Sequence, residues 1–298
     1  MDVVYRYDPF EPIVHQPISD ADEALAYLER GHNRYANIVT QLHREILGGP
    51  AHQQIVIPSN PLSLGLPRVA GTAVAQTPYA IVLGCSDARV PIELIFDQAP
   101  NDLFVIRVAG NVLGVECLGS IDYAVAQLGK SLKLVVVLGH STCGAVSAAV
   151  DSYLSPKNYA EIAFTHALRS LVDRIQTAVR GAAGALKRVG GASIAGTPEY
   201  RDALIETAVY LNAAITAYDV QREIKQPSAS ETRVVYSVFD LVAQRVRSRP
   251  PKDASPFADV PDGPEAFSDL GTEIATGVLE GRLSRPDGPN PAQESGRG

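Results

Sequence analysis

Tyr79-Ala80-Ile81-Val82-Leu83-Gly84-Cys85-Ser86-Asp87-Ala88-Arg89 joins a continuous apolar run to a polar stretch rich in reactive groups. A run of this kind has the composition of a strand buried on both faces. Two further runs repeat it: Leu103-Phe104-Val105-Ile106-Arg107-Val108, and residues 132–138, which lead into Gly139-His140-Ser141-Thr142-Cys143. Segments of helical period follow them at 91–97, 115–128 and 144–153. Strands alternating with helices imply parallel strands joined by right-handed crossovers. The expected fold class is therefore α/β: a central, mainly parallel β-sheet flanked by helices, with an N-terminal helical arm. Residues 234–239 read as a late strand at the sheet edge.

Outward from this centre the pattern weakens. Residues 1–18 are rich in proline and aromatics and read as an extended arm. A helix begins at Ser19, which can cap it, with Asp20, Asp22 and Glu23 at the positive end of its dipole. Leu25, Leu28, Tyr35, Ile38, Val39, Leu42 and Ile46 form its apolar stripe, and Gly48-Gly49-Pro50 ends it. This helix docks either on its own domain or on a second subunit. Residues 50–75 read as a loop, 159–182 and 198–224 as helices, and the Gly/Ala-rich stretch 181–196 as a loop. The domain reading is an arm at 1–18, one α/β domain at 19–249, and a Pro/Gly-rich, partly disordered tail at 250–298 in which 267–283 can form a helix.

Composition is that of an ordinary globular chain of 298 residues, 46% hydrophobic and 20% charged, with a formal charge of -7. An acidic balance argues against a nucleic-acid surface, and no apolar run is long enough to span a bilayer. The first residues, Met1-Asp2-Val3-Val4-Tyr5-Arg6, have neither the basic nor the apolar region of a secretory signal. Three cysteines are an odd count and too few for a disulfide framework. The expected compartment is the cytoplasm, where metal or catalytic use of cysteine is more natural than cross-linking.

Ligands of a parallel sheet collect at the carboxyl ends of its strands. Cys85 follows the first buried run and His140 the third, so both fall on one sheet edge, with glycines at 84 and 139 leaving room for sharp turns. Thiolate and imidazole are favoured zinc ligands. Cys85, His140 and Cys143 make a Cys₂His set that leaves a fourth position for water, substrate or Asp87. Either stretch alone is a weak signal; the two together, each directly after a buried strand, are strong. Buried free thiols and a closed structural zinc site are the rival readings. Cys117 reads as a small core residue, and His15, His32, His43, His52 and His166 as non-ligands.

The stretches 84–91, 107–111 (Arg107-Val108-Ala109-Gly110-Asn111) and 139–144 resemble the β-class carbonic anhydrases, in their plant-like branch. The likeness covers about 20–249 and is strongest over 76–150. It implies one Zn²⁺ per chain and reversible hydration of CO₂ to bicarbonate and a proton by a zinc-bound hydroxide. It also implies a homodimer or dimer of dimers whose N-terminal helices wrap the neighbouring subunit, with the active site near the interface. Carried over singly, Gln76, nine residues before Cys85, would hydrogen-bond substrate; Phe104, nineteen after it, and Tyr123 would wall an apolar pocket. Gly144 joins that substrate-binding set. The chain has no tryptophan, so the resemblance implies an always-open site rather than the regulated branch. It departs from compact members in its extra length at 50–75, 153–196 and beyond 250.

Asp87 and Arg89 form a dyad in this reading. Paired with Arg89, the carboxylate orients the zinc-bound water; unpaired, it is the conditional fourth ligand. Zinc acidifies bound water, and two thiolates neutralise its charge, so activity is expected to rise through mildly alkaline pH. A zinc-binding sensor without turnover, and hydrolysis of carbonyl sulfide or CS₂, are rival functions for the same residues.

Overall fold

A computed structural model describes residues 3–7, 18–49, 55–59, 71–162, 164–224, 232–250 and 255–283. In chain order its elements are β1 (Val3–Tyr7), α1 (Ala21–Ile46), β2 (Ile55–Ser59), β3 (Ala80–Gly84), α2 (Ile92–Ile95), β4 (Leu103–Arg107), α3 (Val115–Leu128), β5 (Leu134–His140), α4 (Gly144–Leu154), α5 (Tyr159–Ile162), α6 (His166–Gly190), α7 (Tyr200–Glu223), β6 (Arg233–Asp240), β7 (Arg245–Arg247), β8 (Ala258–Asp259) and α8 (Gly263–Leu283). Among the described residues no helix is long and apolar enough to cross a membrane.

The main sheet has the order β4-β3-β5-β6-β7, with β8 also on β6. β4, β3, β5 and β6 pair in parallel, whereas β7 and β8 run antiparallel to β6. The fold class is α/β with a mainly parallel sheet, as the alternating pattern requires. The edge position expected for 234–239 is corrected: β6 is internal, flanked by β5 on one side and by β7 and β8 on the other. Those partners are three and two residues long, too short to stand out in sequence.

Every residue of β3 and β5 is buried. Their side chains alternate between two apolar layers. Ile81, Leu83, Val135, Val137, Tyr236 and Val238 face α3, α4, α6, α7 and α8. Ala80, Val82, Leu134, Val136, Leu138 and Phe239 face α1 and α2. α7 is the central helix of the first layer, with Ala203, Leu204, Ala208, Ala213, Ala214 and Ala217 sealed from solvent.

Several local expectations change on contact with the tertiary structure. The α1 cap is Asp20, not Ser19: Asp20 accepts the Glu23 amide at 2.9 Å, and the Glu23 carboxylate reaches back to the Ser19 amide at 2.8 Å, a reciprocal arrangement. Residues 181–190, expected as loop, continue α6, and only a short 3₁₀ turn at Ala192–Gly196 follows. Alanine favours helix, and the small residues let α6 approach α7: a methyl at Gly181 would sit 3.5 Å from Leu211. Within 50–75, expected to be loop, β2 pairs in parallel with β1, Val3 opposite Ile55. Helix α8 buries Leu270, Ile274, Ala275 and Val278 in the main core, so packing extends well past residue 249. The 284–298 tail, His15 and His52 lie outside the described residues.

Candidate metal centre

The sheet register brings the two polar stretches together. Gly84, last in β3, is opposite Leu138 of β5 and Arg107 of β4. Cys85 therefore leaves the sheet beside the end of β5, where His140 is the final strand residue rather than one lying beyond the strand. The glycines at 84 and 139 serve close packing, not a turn. A methyl at Gly84 would meet Ile92 Cδ1 at 2.6 Å, and one at Gly139 would stand 3.4 Å from Ala213 and Val238. The tight turns lie elsewhere, with positive φ at Gly110 (69°), Asn111 (46°) and Thr142 (53°). A β-branched residue is rare there, and Thr142 is held by its neighbours: the Ser141 amide donates to Phe239, and Ser141 Oγ accepts from the Leu241 amide, both at 2.9 Å.

Cys85, His140 and Cys143 converge, their ligand atoms all within 4.8 Å of one another and the two sulfurs 4.0 Å apart. Two sulfurs on a tetrahedral zinc would be about 3.8 Å apart at ordinary Zn–S lengths, so the spacing suits a metal. His140 is fully buried. Its Nδ1 lies 2.9 Å from the Ser141 carbonyl, which can only accept, so Nδ1 carries the proton and Nε2 presents a lone pair. Among the described residues that Nε2 has no hydrogen-bond partner. A buried lone pair without a donor is costly in a closed core, and a cation facing it and the two sulfurs would satisfy it.

The thiols give the same indication. The neighbouring Cys143 thiol, helped by His140 and the amides of Asp87 and Gly110 and opposed by burial, pulls Cys85 far below the ordinary cysteine range. Cys143 moves the opposite way, raised by the adjacent Cys85 sulfur and by burial, although it sits at the α4 N-terminus with the Ala145 and Val146 amides nearby. The pair carries one negative charge readily and a second only against a compensating cation. The residues present thus fit a soft divalent metal.

Asp87 is turned to Arg89. Its Oδ1 accepts the Arg89 amide and Nε, both at 2.9 Å, and its Oδ2 accepts Nη2 at 2.7 Å. Arg89 holds the carboxyl below the usual carboxylate range. Oδ2 remains 3.8 Å from His140 Nε2.

Gln76, Phe104 and Tyr123 stand on separate elements. Gln76 is exposed on the segment before β3, whose course is fixed by Asn101 donating to the Ala75 carbonyl and accepting from the Thr77 amide. Phe104 is opposite Ile81, part-buried against the same core layer as the two sulfurs. Tyr123 on α3 is 54% exposed, and Gly144, at the start of α4, is exposed. Cys117 is a buried core residue of α3.

Other contributors had no role in the sequence reading. Arg107 reaches back across the sheet, donating Nε to the Cys85 carbonyl at 3.1 Å and Nη2 to the Asp87 carbonyl at 2.6 Å, which fixes the loop carrying both. The Gly110 amide donates to the Cys85 sulfur at 3.3 Å. Asn212 of α7 donates to the Gly110 carbonyl at 2.8 Å. Arg107 and Gly110 lie in a quoted motif, but nothing local distinguishes Asn212.

Comparison with known proteins gives the same location. The family model described as carbonic anhydrase matches residues 80–242, which include all three converging side chains. Carbonic anhydrase 2 of Mycobacterium tuberculosis is 53% identical over 81 residues, 27% of this chain and 38% of that protein. A carbonic anhydrase of Mycolicibacterium smegmatis is 42% identical over 139 residues, 46% of this chain and 58% of that protein. The matched segments thus span from 38% to 58% of these relatives' length. The crystal structure of the β-carbonic anhydrase CafA of Aspergillus fumigatus aligns at a TM-score of 0.46 and 21% identity, covering 85% of this chain and 97% of that one. On the family match, which covers more than half of its residues, this chain belongs to the β-class carbonic anhydrase family.

Proposed function

We propose that the chain is a zinc-dependent carbonic anhydrase that interconverts CO₂ and bicarbonate at Cys85, His140 and Cys143. The observation that carries this reading is the buried, unpartnered Nε2 of His140 facing two sulfurs, with every ligand atom within 4.8 Å. Zn²⁺ held there would supply a Lewis acid that activates water for attack on CO₂.

The chain's own residues set the remaining conditions. Ser141 fixes the His140 tautomer, and Arg107 fixes the loop on which Cys85 and Asp87 sit. Arg89 engages both oxygens of Asp87, which supports a fourth metal position open to water rather than capped by the carboxylate. Kept ionised by Arg89, Asp87 would accept a hydrogen bond from a water at that position and orient it. Gln76, Phe104, Tyr123 and Gly144 form the substrate pocket in this reading, with Gln76 donating to substrate and the aromatics excluding water. The exposure of Tyr123 and of Val115 on the same helix supports a pocket completed in a homodimer or dimer of dimers. We place the enzyme in the cytoplasm, consistent with its free cysteines.

Metal analysis combined with a CO₂ hydration assay tests the proposal. The unsubstituted protein is expected to hold one zinc per chain and to hydrate CO₂, and Cys85→Ser to lose both. Full activity in Cys85→Ser, or a zinc-loaded protein without turnover, would overturn it.

A further inference from the structure

The three donor residues do not set the position of the Cys85 sulfur by themselves. The Gly110 amide is directed at it at 3.3 Å from a turn in which Gly110 and Asn111 both have positive φ. The turn has no room to adjust toward α4 and α6: a methyl at Gly110 would meet Ile175 Cδ1 at 2.9 Å and Ala145 Cβ at 3.0 Å. On its other side Asn212 Nδ2, from α7, donates to the Gly110 carbonyl at 2.8 Å in a buried contact. Asn212 is 3% exposed on α7, and helix neighbours Ala208, Leu211, Ala213 and Ala214 are buried in the core. A buried amide in an alanine-rich helix face is expensive unless it is bonded, and here its bond reaches the turn that touches a metal-facing sulfur.

We propose that Asn212 is a positioning residue for the metal centre: by holding the Gly110 carbonyl it aims the Gly110 amide at the Cys85 sulfur. An N–H donor withdraws charge from a thiolate. Cys85 then donates less charge to a bound cation, which offsets part of the neutralisation that two thiolate ligands impose. Outer partners of this kind orient and tune ligands and typically change metal affinity by about 10–100-fold when removed. The proposal rests on the metal reading of Cys85, His140 and Cys143.

The test uses the full chain loaded with Co²⁺, whose sulfur-to-metal charge-transfer band reports on the thiolates, together with the rate of Zn²⁺ release to a chelator. Asn212→Leu removes the donor at similar volume, and Asn212→Ser, a smaller change too short to reach Gly110, carries the test if the leucine variant does not fold. The expected result is a band at lower energy, because an unbonded sulfur gives up charge more easily, and zinc release at least about tenfold faster. Ile274→Ala, a core truncation in α8, serves as the control for general loosening and is expected to leave both readouts unchanged. An unshifted band with unchanged release in the Asn212 variants overturns the proposal, as does an equal shift in Ile274→Ala. Failure of the unsubstituted protein to bind either metal overturns the metal reading itself, and with it this one, and is distinguishable because it appears before any substitution.

Discussion

Arg89 grips Asp87 through both carboxylate oxygens, with Nε at 2.9 Å from Oδ1 and Nη2 at 2.7 Å from Oδ2, while Oδ2 stands 3.8 Å from His140 Nε2. The carboxylate is thus close enough to the donor cluster to reach it, yet committed elsewhere. Arg89 itself is largely exposed, so the Coulomb strength of the pair is reduced by solvent. Its function lies in direction: a bidentate fork fixes where the carboxylate points.

Removing the fork releases Asp87 toward the metal position. Arg89→Ala is expected to keep zinc at one per chain, since no donor is lost, and to lower CO₂ hydration by about 10²-fold or more, the scale of a lost proton-handling group. Arg89→Lys cannot make the two-point contact and should fall nearly as far. Zinc analysis beside the hydration assay checks this; an Arg89→Ala protein with full turnover would rule out the dyad.

His32 gives the fold a pH dependence independent of the metal. Its Nε2 accepts the Val246 amide at 2.9 Å, so its Nδ1 must carry the proton that goes to the Ile95 carbonyl at 3.1 Å. Protonation would place a second N–H against the Val246 amide. Burial lowers the pKa of His32, the bond to Ile95 opposes this, and Arg245 adds to the lowering. Among the described residues no carboxylate contributes to the shift at that ring. The folded state therefore binds this proton less readily than the unfolded chain. The contribution of His32 is fully present above about pH 6.5 and is lost as pH falls below it, at no more than about 1.4 kcal/mol per pH unit. Urea midpoints between pH 7.5 and about pH 5 should fall more steeply in the native chain than in His32→Gln. Parallel profiles would exclude His32 as the source.

Gly31 sets two magnitudes against each other. Alanine is favoured over glycine within a helix by about 1 kcal/mol, so Gly31→Ala in the middle of α1 looks stabilising from propensity alone. A methyl there, however, would overlap the Phe96 carbonyl oxygen and stand 2.9 Å from Gln98 Nε2. The oxygen belongs to backbone and cannot turn aside, so α1 must move off α2, at a cost of about 1–3 kcal/mol from overpacking plus part of the Leu28 and Ala24 burial. The clash wins. Gly31→Ala is expected to lower the thermal midpoint, and a raised midpoint would show that α1 can slide freely.

What the sequence disclosed follows from how far apart the cooperating residues lie. Cys85, His140 and Cys143 were legible because each is adjacent to a long buried strand whose end defines the sheet edge. The parallel direction of β3, β4 and β5 was legible for the same reason. Asn212 and Gly110, 102 positions apart, and His32 and Val246, 214 apart, meet only through tertiary packing, and no local pattern marks them. The 181–190 stretch was misread because glycine and alanine serve both turns and closely packed helices; the choice is made by Leu211 on the opposing helix. The internal place of β6 depends on strands too short for periodicity to register.

Helix α8 tests whether the C-terminal region is integral to the domain. Two kinds of contact attach it. Arg249 meets Glu273 at 2.6 Å and Arg188 donates to the Ser268 carbonyl at 3.1 Å, both at exposed positions. Ile274 is fully buried beside Leu270, Ala275 and Val278, and Phe267 packs edge-on against Tyr218 at 5.4 Å. An exposed ion pair contributes about 0–1 kcal/mol, whereas truncating a buried isoleucine to alanine removes about 2–5 kcal/mol. Apolar burial therefore dominates. Ile274→Ala should lower stability in chemical denaturation several times more than Glu273→Ala, and deletion of 263–298 should expose the α6 and α7 faces and produce self-association in sedimentation. Equal, small effects from the two point variants, with a monodisperse and fully stable deletion, would mean that α8 is an appendage to a core complete without it.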